Sequence, residues 1–220
     1  MLLADERASI LKYCRRMDAD GLTVGTSGNL SVRVGDLVAV TPSGVDYATL
    51  TPPDVCVLDL DGGPVDARRE PSSEVPMHLA VYRGTDARAV VHTHPLHATA
   101  LSTLLDELPP IHYLVGLLGG PVRVAPYATY GSAELAEASV RALEGRSAVL
   151  LRNHGATTYG ATLAEAYTRT TYLEWLCRLH HQASLLGTPS LIPPDELERV
   201  TAKLRTYGRH PGTRPPESAG

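Results

Sequence analysis

Residues 88–101, "RAVVHTHPLHATAL", and residues 147–155, "SAVLLRNHG", each run an apolar stretch into a histidine. The first reads as a buried strand followed by a helix with Pro95 at its first position, where proline is well tolerated. Strand side chains alternate with period two, so His92 and His94 share one face. The second reads as another buried strand, ending in His154 and Gly155. If the two strands are neighbours, His92, His94 and His154 meet at one edge of a sheet. Strands separated by helices place the chain in the α/β class.

The flanking sequence extends that pattern. "GLTVGTSGNLSVRVGDLVAVTPSG" (21–44) alternates apolar and polar residues between glycine-rich turns, which predicts short strands and a hairpin. "VCVLDLDGGPV" (55–65) is a further strand and turn. "SSEVPMHLAVYRG" (72–84) predicts a helix capped by its serines, with Met77, Ala80 and Val81 on one face and Pro76 in the first turn. Downstream, "GPVRVAPY" is a short strand and "GSAELAEASVRALEGR" a helix capped by Ser132 and stopped by Gly145. The longest helix follows, opened by the capping box Thr162–Glu165 and ended by Gly187 and Pro189. "RHPGTRPPESAG", from Arg209, has the composition of a disordered tail. The expectation is one domain over residues 1–208, a tail over 209–220, hairpins early, and a layer of helices on each sheet face.

A chain of 220 residues is long enough to bury a full core. No apolar run approaches the ~18 residues of a membrane span. The first twenty residues mix charges into an amphipathic helix, unlike a signal peptide. Net charge is −4 with no basic block, which argues against nucleic acid as partner. Cys14, Cys56 and Cys177 are an odd number without C-x-x-C spacing, as expected of buried free thiols in a reducing cytoplasm. Phenylalanine is absent, which leaves the core to Tyr, Leu and Val. Lys12 and Lys203 are the only lysines, so a buried Schiff-base lysine has almost no candidate.

Three neutral imidazoles around an open position suit catalytic zinc. One H-x-H is weak support, and any single histidine reads equally as a core residue satisfied by backbone. The second strand end, Asn153-His154-Gly155, is what strengthens the reading. His97 and His112 read as structural or as supports to the ligands, and His78, His180 and His181 as surface or packing residues. Three turns of small polar residues, "GTSGN" (25–29), "TPSG" (41–44) and "PSSE" (71–74), offer backbone N–H groups and hydroxyls suited to an anion. Each alone is an ordinary turn, and "GTSGN" is not a P-loop.

"GTSGNLSVR", "TPSG", "PSSE", "AVVHTHPLHATALS", "IHYL", "APYATYGS" and "NHG" occur in an order and spacing that resemble the class II aldolase family, over roughly residues 5 to 208. Within it the pattern is nearest to the branch acting on L-fuculose 1-phosphate. The resemblance implies a central mixed, largely antiparallel sheet sandwiched between helices. It also implies a cytoplasmic homotetramer with its sites between subunits, and one Zn2+ per subunit. His92, His94 and His154 match its zinc ligands, and Glu74 the carboxylate that is both ligand and acid/base. Thr26, Gly28, Asn29, Ser43, Gly44, Ser72 and Ser73 match the phosphate grip. Tyr113 matches a proton donor that reaches the neighbouring subunit's site, and Tyr207 a C-terminal tyrosine.

The implied reaction is reversible cleavage of a ketose 1-phosphate to dihydroxyacetone phosphate and a short aldehyde. Breaking that bond leaves an enediolate, whose charge is held by a lysine imine or a Lewis-acid metal. Converging histidines without a suitable lysine favour the metal. The alternatives are a sugar-phosphate 4-epimerase or a methylthioribulose-phosphate dehydratase of the same family, or an adducin-like interaction module without chemistry.

Overall fold

The structure, a computed structural model, describes residues 1–204. Helix α1 (Ala4–Ala19) leads into two hairpins, β1 (Asn29–Val34) with β2 (Leu37–Val40), and β3 (Cys56–Asp59) with β4 (Pro64–Asp66). Then come α2 (Val75–Gly84), β5 (Ala89–Thr93), α3 (Leu96–Ser102), β6 (Glu107–Leu108), β7 (Val122–Ala125) and α4 (Ala133–Ala142). The chain continues through β8 (Ala148–Leu151), β9 (Gly155–Gly160), α5 (Leu163–Leu186) and α6 (Pro194–Leu204). The strands form one nine-stranded sheet in the order β4-β3-β2-β1-β5-β9-β8-β7-β6. Every described pairing is antiparallel except β7 with β8. This is the expected mixed, largely antiparallel sheet.

Helices cover both faces, and the period of the strands decides which residue meets which layer. Ala89 and Val91 of β5 pack with α1 and α5, while Val90 between them packs with α2 and α4. Ala148 and Leu150 of β8 join α3 and α5, while Val149 and Leu151 join α2 and α4. Burial on both faces is why these strands read as unbroken apolar runs.

Three details differ from the sequence reading. The serines do not cap α2, whose N-cap is Glu74 without a side-chain cap bond. The strands carrying the histidines are not neighbours, because β9 lies between β5 and β8. Pro95 is the N-cap of α3 and not its first residue. The caps of the later helices are as expected: the Ser132 hydroxyl accepts from Leu135 N–H at 3.1 Å and that of Thr162 from Glu165 N–H at 3.1 Å. All three cysteines are buried and free, and burial pushes the Cys14 thiol up to about 12. Among the described residues no helix is long and apolar enough to cross a membrane.

Candidate metal centre and substrate cleft

β5 delivers His92 opposite Thr157 of β9 and Asn29 of β1, with His94 just beyond the strand end. His154 arrives from the turn joining β8 to β9, and Glu74 from the N-cap of α2. One ligand atom from each of these four residues lies within 4.8 Å of all the others. The approach of the β8–β9 turn depends on Gly155. A Cβ there would stand 2.3 Å from the Thr93 carbonyl oxygen and 2.9 Å from the His94 ring. Asn153, just before the ligand, adopts the left-handed φ of 55° that tightens the turn.

The donor set has the chemistry of a cation site. His92 Nδ1 donates to the Ala156 carbonyl at 3.0 Å, which commits that nitrogen and turns Nε2 toward the cluster. There Nε2 lies 2.8 Å from His94 Nε2 and 3.0 Å from Glu74 Oε2. His154 Nε2 lies 3.4 Å from Glu74 Oε1, an atom buried with no hydrogen-bond partner among the described residues. So many lone pairs facing one another need positive charge between them, supplied by a proton on His92 or by a cation. Tetrahedral coordination at about 2.0–2.2 Å sets ligand atoms roughly 3.4 Å apart, which the observed separations bracket.

Electrostatics keep the donors ready. Burial pushes His94 down to about 3 and His154 down to about 4, helped in each case by the charge on His92. Both are therefore neutral near pH 7. Burial alone would raise Glu74, but the charge on His92, hydrogen bonds from His92 and Asn29, and His154 outweigh it. Its carboxyl is held well below the usual range.

Above the centre opens a cleft of about 490 Å3 with Glu74, His94 and His154 in its floor. All seven residues expected to grip phosphate line it: Thr26, Gly28 and Asn29 on the first turn, Ser43 and Gly44 on the second, Ser72 and Ser73 on the third. Gly28 has a left-handed φ of 86°, and a Cβ there would meet the His92 carbonyl oxygen at 3.0 Å. The remaining wall is Val24, Tyr127, Ala128 and Tyr130, with Ser27, Pro42 and Asn153. Reasoning from the sequence assigned none of these a role; Tyr127 and Tyr130 lie within the quoted "APYATYGS", but nothing in it singles them out.

Tyr113 opens a short 3-10 helix (Tyr113–Leu118), stacks on His112 at 4.4 Å, is exposed, and does not line the cleft. Tyr207 lies outside the described residues. His97 bonds Glu174 at 2.7 Å and His112 packs edge-on against Trp175, both structural roles. Of the two readings of His78, surface or packing, it is the buried one: His78 is 1% exposed and bonded to Asn29.

The family model described as "Class II Aldolase and Adducin N-terminal domain" matches residues 8–181. The chain belongs to this family. It is similar to "5-deoxy-D-ribulose 1-phosphate aldolase" of Bacillus thuringiensis serovar kurstaki, 41% identical over 95% of this chain and all of that one. It is also similar to "5-methylthioribulose-1-phosphate/5-deoxyribulose-1-phosphate aldolase" of Rhodospirillum rubrum, 40% identical over 92% of each chain. A solved L-fuculose 1-phosphate aldolase superposes with a TM-score of 0.90 at 38% identity, over 93% of this chain and 98% of that one. With relatives that are aldolases and the Glu/His cluster assembled, the chain is a metal-dependent carbon–carbon lyase.

Proposed function

We propose that the enzyme reversibly cleaves a ketose 1-phosphate to dihydroxyacetone phosphate and a short aldehyde ending in an apolar group, as a 5-deoxypentulose 1-phosphate would supply. The observation that carries this is one cleft lined by three turns of small polar residues, by Glu74, His94 and His154 of the four-donor cluster, and by Val24, Tyr127, Ala128 and Tyr130. The turns suit the phosphate, and Val24, Ala128 and the rings of Tyr127 and Tyr130 suit a methyl-ended aldehyde better than a hydroxylated one. The names of the two relatives quoted above support the same choice.

Glu74, His92, His94 and His154 would hold one divalent cation, taken as Zn2+ because three imidazoles and a carboxylate are its usual donors. When bound, it supplies Lewis-acid relief of the charge that develops on the ketone and hydroxyl oxygens. The phosphate turns fix the other end of the substrate, which holds the scissile bond near Glu74. In cleavage the aldehyde-forming hydroxyl loses its proton as the carbon–carbon bond breaks, and Tyr113 of a neighbouring subunit would take it. Glu74, carrying a proton taken from solvent in the substrate complex, would deliver it to carbon 3 through Oε1, which has no hydrogen-bond partner among the described residues, and the proton left on Tyr113 would return to solvent.

A coupled assay for dihydroxyacetone phosphate with 5-deoxyribulose 1-phosphate, L-fuculose 1-phosphate and the unphosphorylated sugars tests this. The deoxy substrate should give the highest kcat/KM. Conversion to an isomeric or dehydrated sugar phosphate without triose release would overturn it.

A further inference from the structure

Beneath Glu74 a row of polar side chains runs inward between β1 and α2; Asn29 at its head also lines the cleft, and no step of the cleavage uses the others. Asn29, Ser31, His78 and Tyr82 are 5%, 0%, 1% and 2% exposed. Two periodicities mesh there: Asn29 and Ser31 share a face of the strand, and Glu74, His78 and Tyr82, four apart, share a face of the helix. Asn29 Nδ2 donates to Glu74 Oε2 at 2.9 Å, and Asn29 Oδ1 lies 2.6 Å from His78 Nε2. Ser31 Oγ lies 2.6 Å from His78 Nδ1 and 2.7 Å from the Tyr82 hydroxyl.

Chemistry fixes the direction of every bond. A carboxylate only accepts, so the NH2 edge of Asn29 must face Glu74 and its oxygen must face His78. His78 then carries its proton on Nε2 and accepts at Nδ1, so the Ser31 hydroxyl donates to it and accepts from Tyr82. Tyr82, Ser31, His78, Asn29 and Glu74 form a one-way chain of donors ending on Oε2.

We propose that His78 is a positioning residue for Glu74, acting through Asn29. Its Nε2–H locks the Asn29 amide with the NH2 edge toward Oε2. One carboxylate oxygen is thereby held, and Oε1 is left as the one that moves the proton. Without that donor the Asn29 amide can turn its oxygen toward Glu74, and the carboxylate loses both its anchor and its orientation. The proposal rests on the acid/base reading of Glu74 given above.

Two measurements test it on the full chain. Nitrogen-15 NMR of histidine-labelled protein, metal-free and zinc-loaded, should show His78 as the Nε2–H tautomer. An Nδ1–H tautomer would overturn the proposal without reference to activity. The second compares His78→Gln, whose amide nitrogen reaches the place of Nε2, with His78→Asn, which reaches only that of Nδ1. Deuterium exchange into dihydroxyacetone phosphate should fall about 10–100-fold in His78→Asn. His78→Gln should keep most of the rate, at the same zinc stoichiometry and a similar thermal midpoint. Equal rates in the two variants, or a loss that follows loss of zinc, would overturn it. A wild-type control without exchange would overturn the reading of Glu74 and this proposal together, a result distinct from either of those.

Discussion

Glu74 occupies the N-cap of α2, where a carboxylate commonly serves the helix dipole for ~0.3–1 kcal/mol. It makes no side-chain cap bond there; its carboxylate turns onto Asn29 and the histidines instead. Glu74→Gln keeps the shape and removes the proposed base. It should fold and retain zinc, yet lose exchange of the carbon 3 proton by about 10²–10⁴-fold. Near wild-type exchange in a zinc-loaded variant would place the base elsewhere. Ser43 and Ser73 line the cleft on two of the turns proposed to hold the phosphate. A hydrogen bond to a charged group contributes about 1.5–3 kcal/mol, so Ser43→Ala with Ser73→Ala should raise KM for the phosphorylated ketose by roughly 10–100-fold per site. The unphosphorylated sugar should hardly notice. An equal change for both substrates would remove the phosphate role.

Among the elements, the β8–β9 turn does most to assemble the centre, and it was only half legible. "SAVLLRNH" announces its strand by an unbroken apolar run, and Ser132 and Thr162 announce the helices on either side by their caps. β9, "GATTYG", carries strand formers in Thr157, Thr158 and Tyr159, but it starts on the glycine of the preceding turn and is too short and too polar to stand out; pairing with β5 and β8 makes it a central strand. The missing strand is why the histidines were expected on neighbours and are found one strand apart. His78 was read only as surface or packing, because a helix position alone cannot show that Asn29 and Ser31 lie opposite it. Gly155→Ala tests the turn directly, since the added methyl meets the Thr93 carbonyl oxygen. Overpacking of this kind costs about 1–3 kcal/mol. The variant should unfold at lower denaturant and bind zinc more weakly, because relief of the clash moves His154. Unchanged zinc affinity would show that the centre tolerates a displaced turn.

At the scale of the whole molecule, packing a sheet between helix layers forces histidines into the interior uncharged. His78 is fully buried and pushed down to about 3, against an ordinary value near 6.5, first by burial and then by the charge on His92. Between those values the unfolded chain binds a proton that the folded one refuses. Stability of the metal-free protein is therefore complete above about pH 6.5 and lost as pH falls, by about 1.4 kcal/mol per pH unit from this residue. His94 and His154 act in the same direction. Denaturant titrations at pH 7 and pH 5 should show the loss, and His78→Gln should flatten it. The fold leaves one assigned residue stranded: Tyr113 is exposed and does not line the cleft of its own chain. A proton donor in that position serves catalysis only if a second subunit brings it to the site, as in a ring of identical head-to-tail contacts. Tyr113→Phe should then cut kcat while leaving zinc content intact. Co-expressed with Glu74→Gln, it should regain about a quarter of wild-type activity, because random assembly gives one site in four an intact Glu74 and an intact neighbouring tyrosine. Two inactive variants that stay inactive when co-assembled would confine the site to a single subunit.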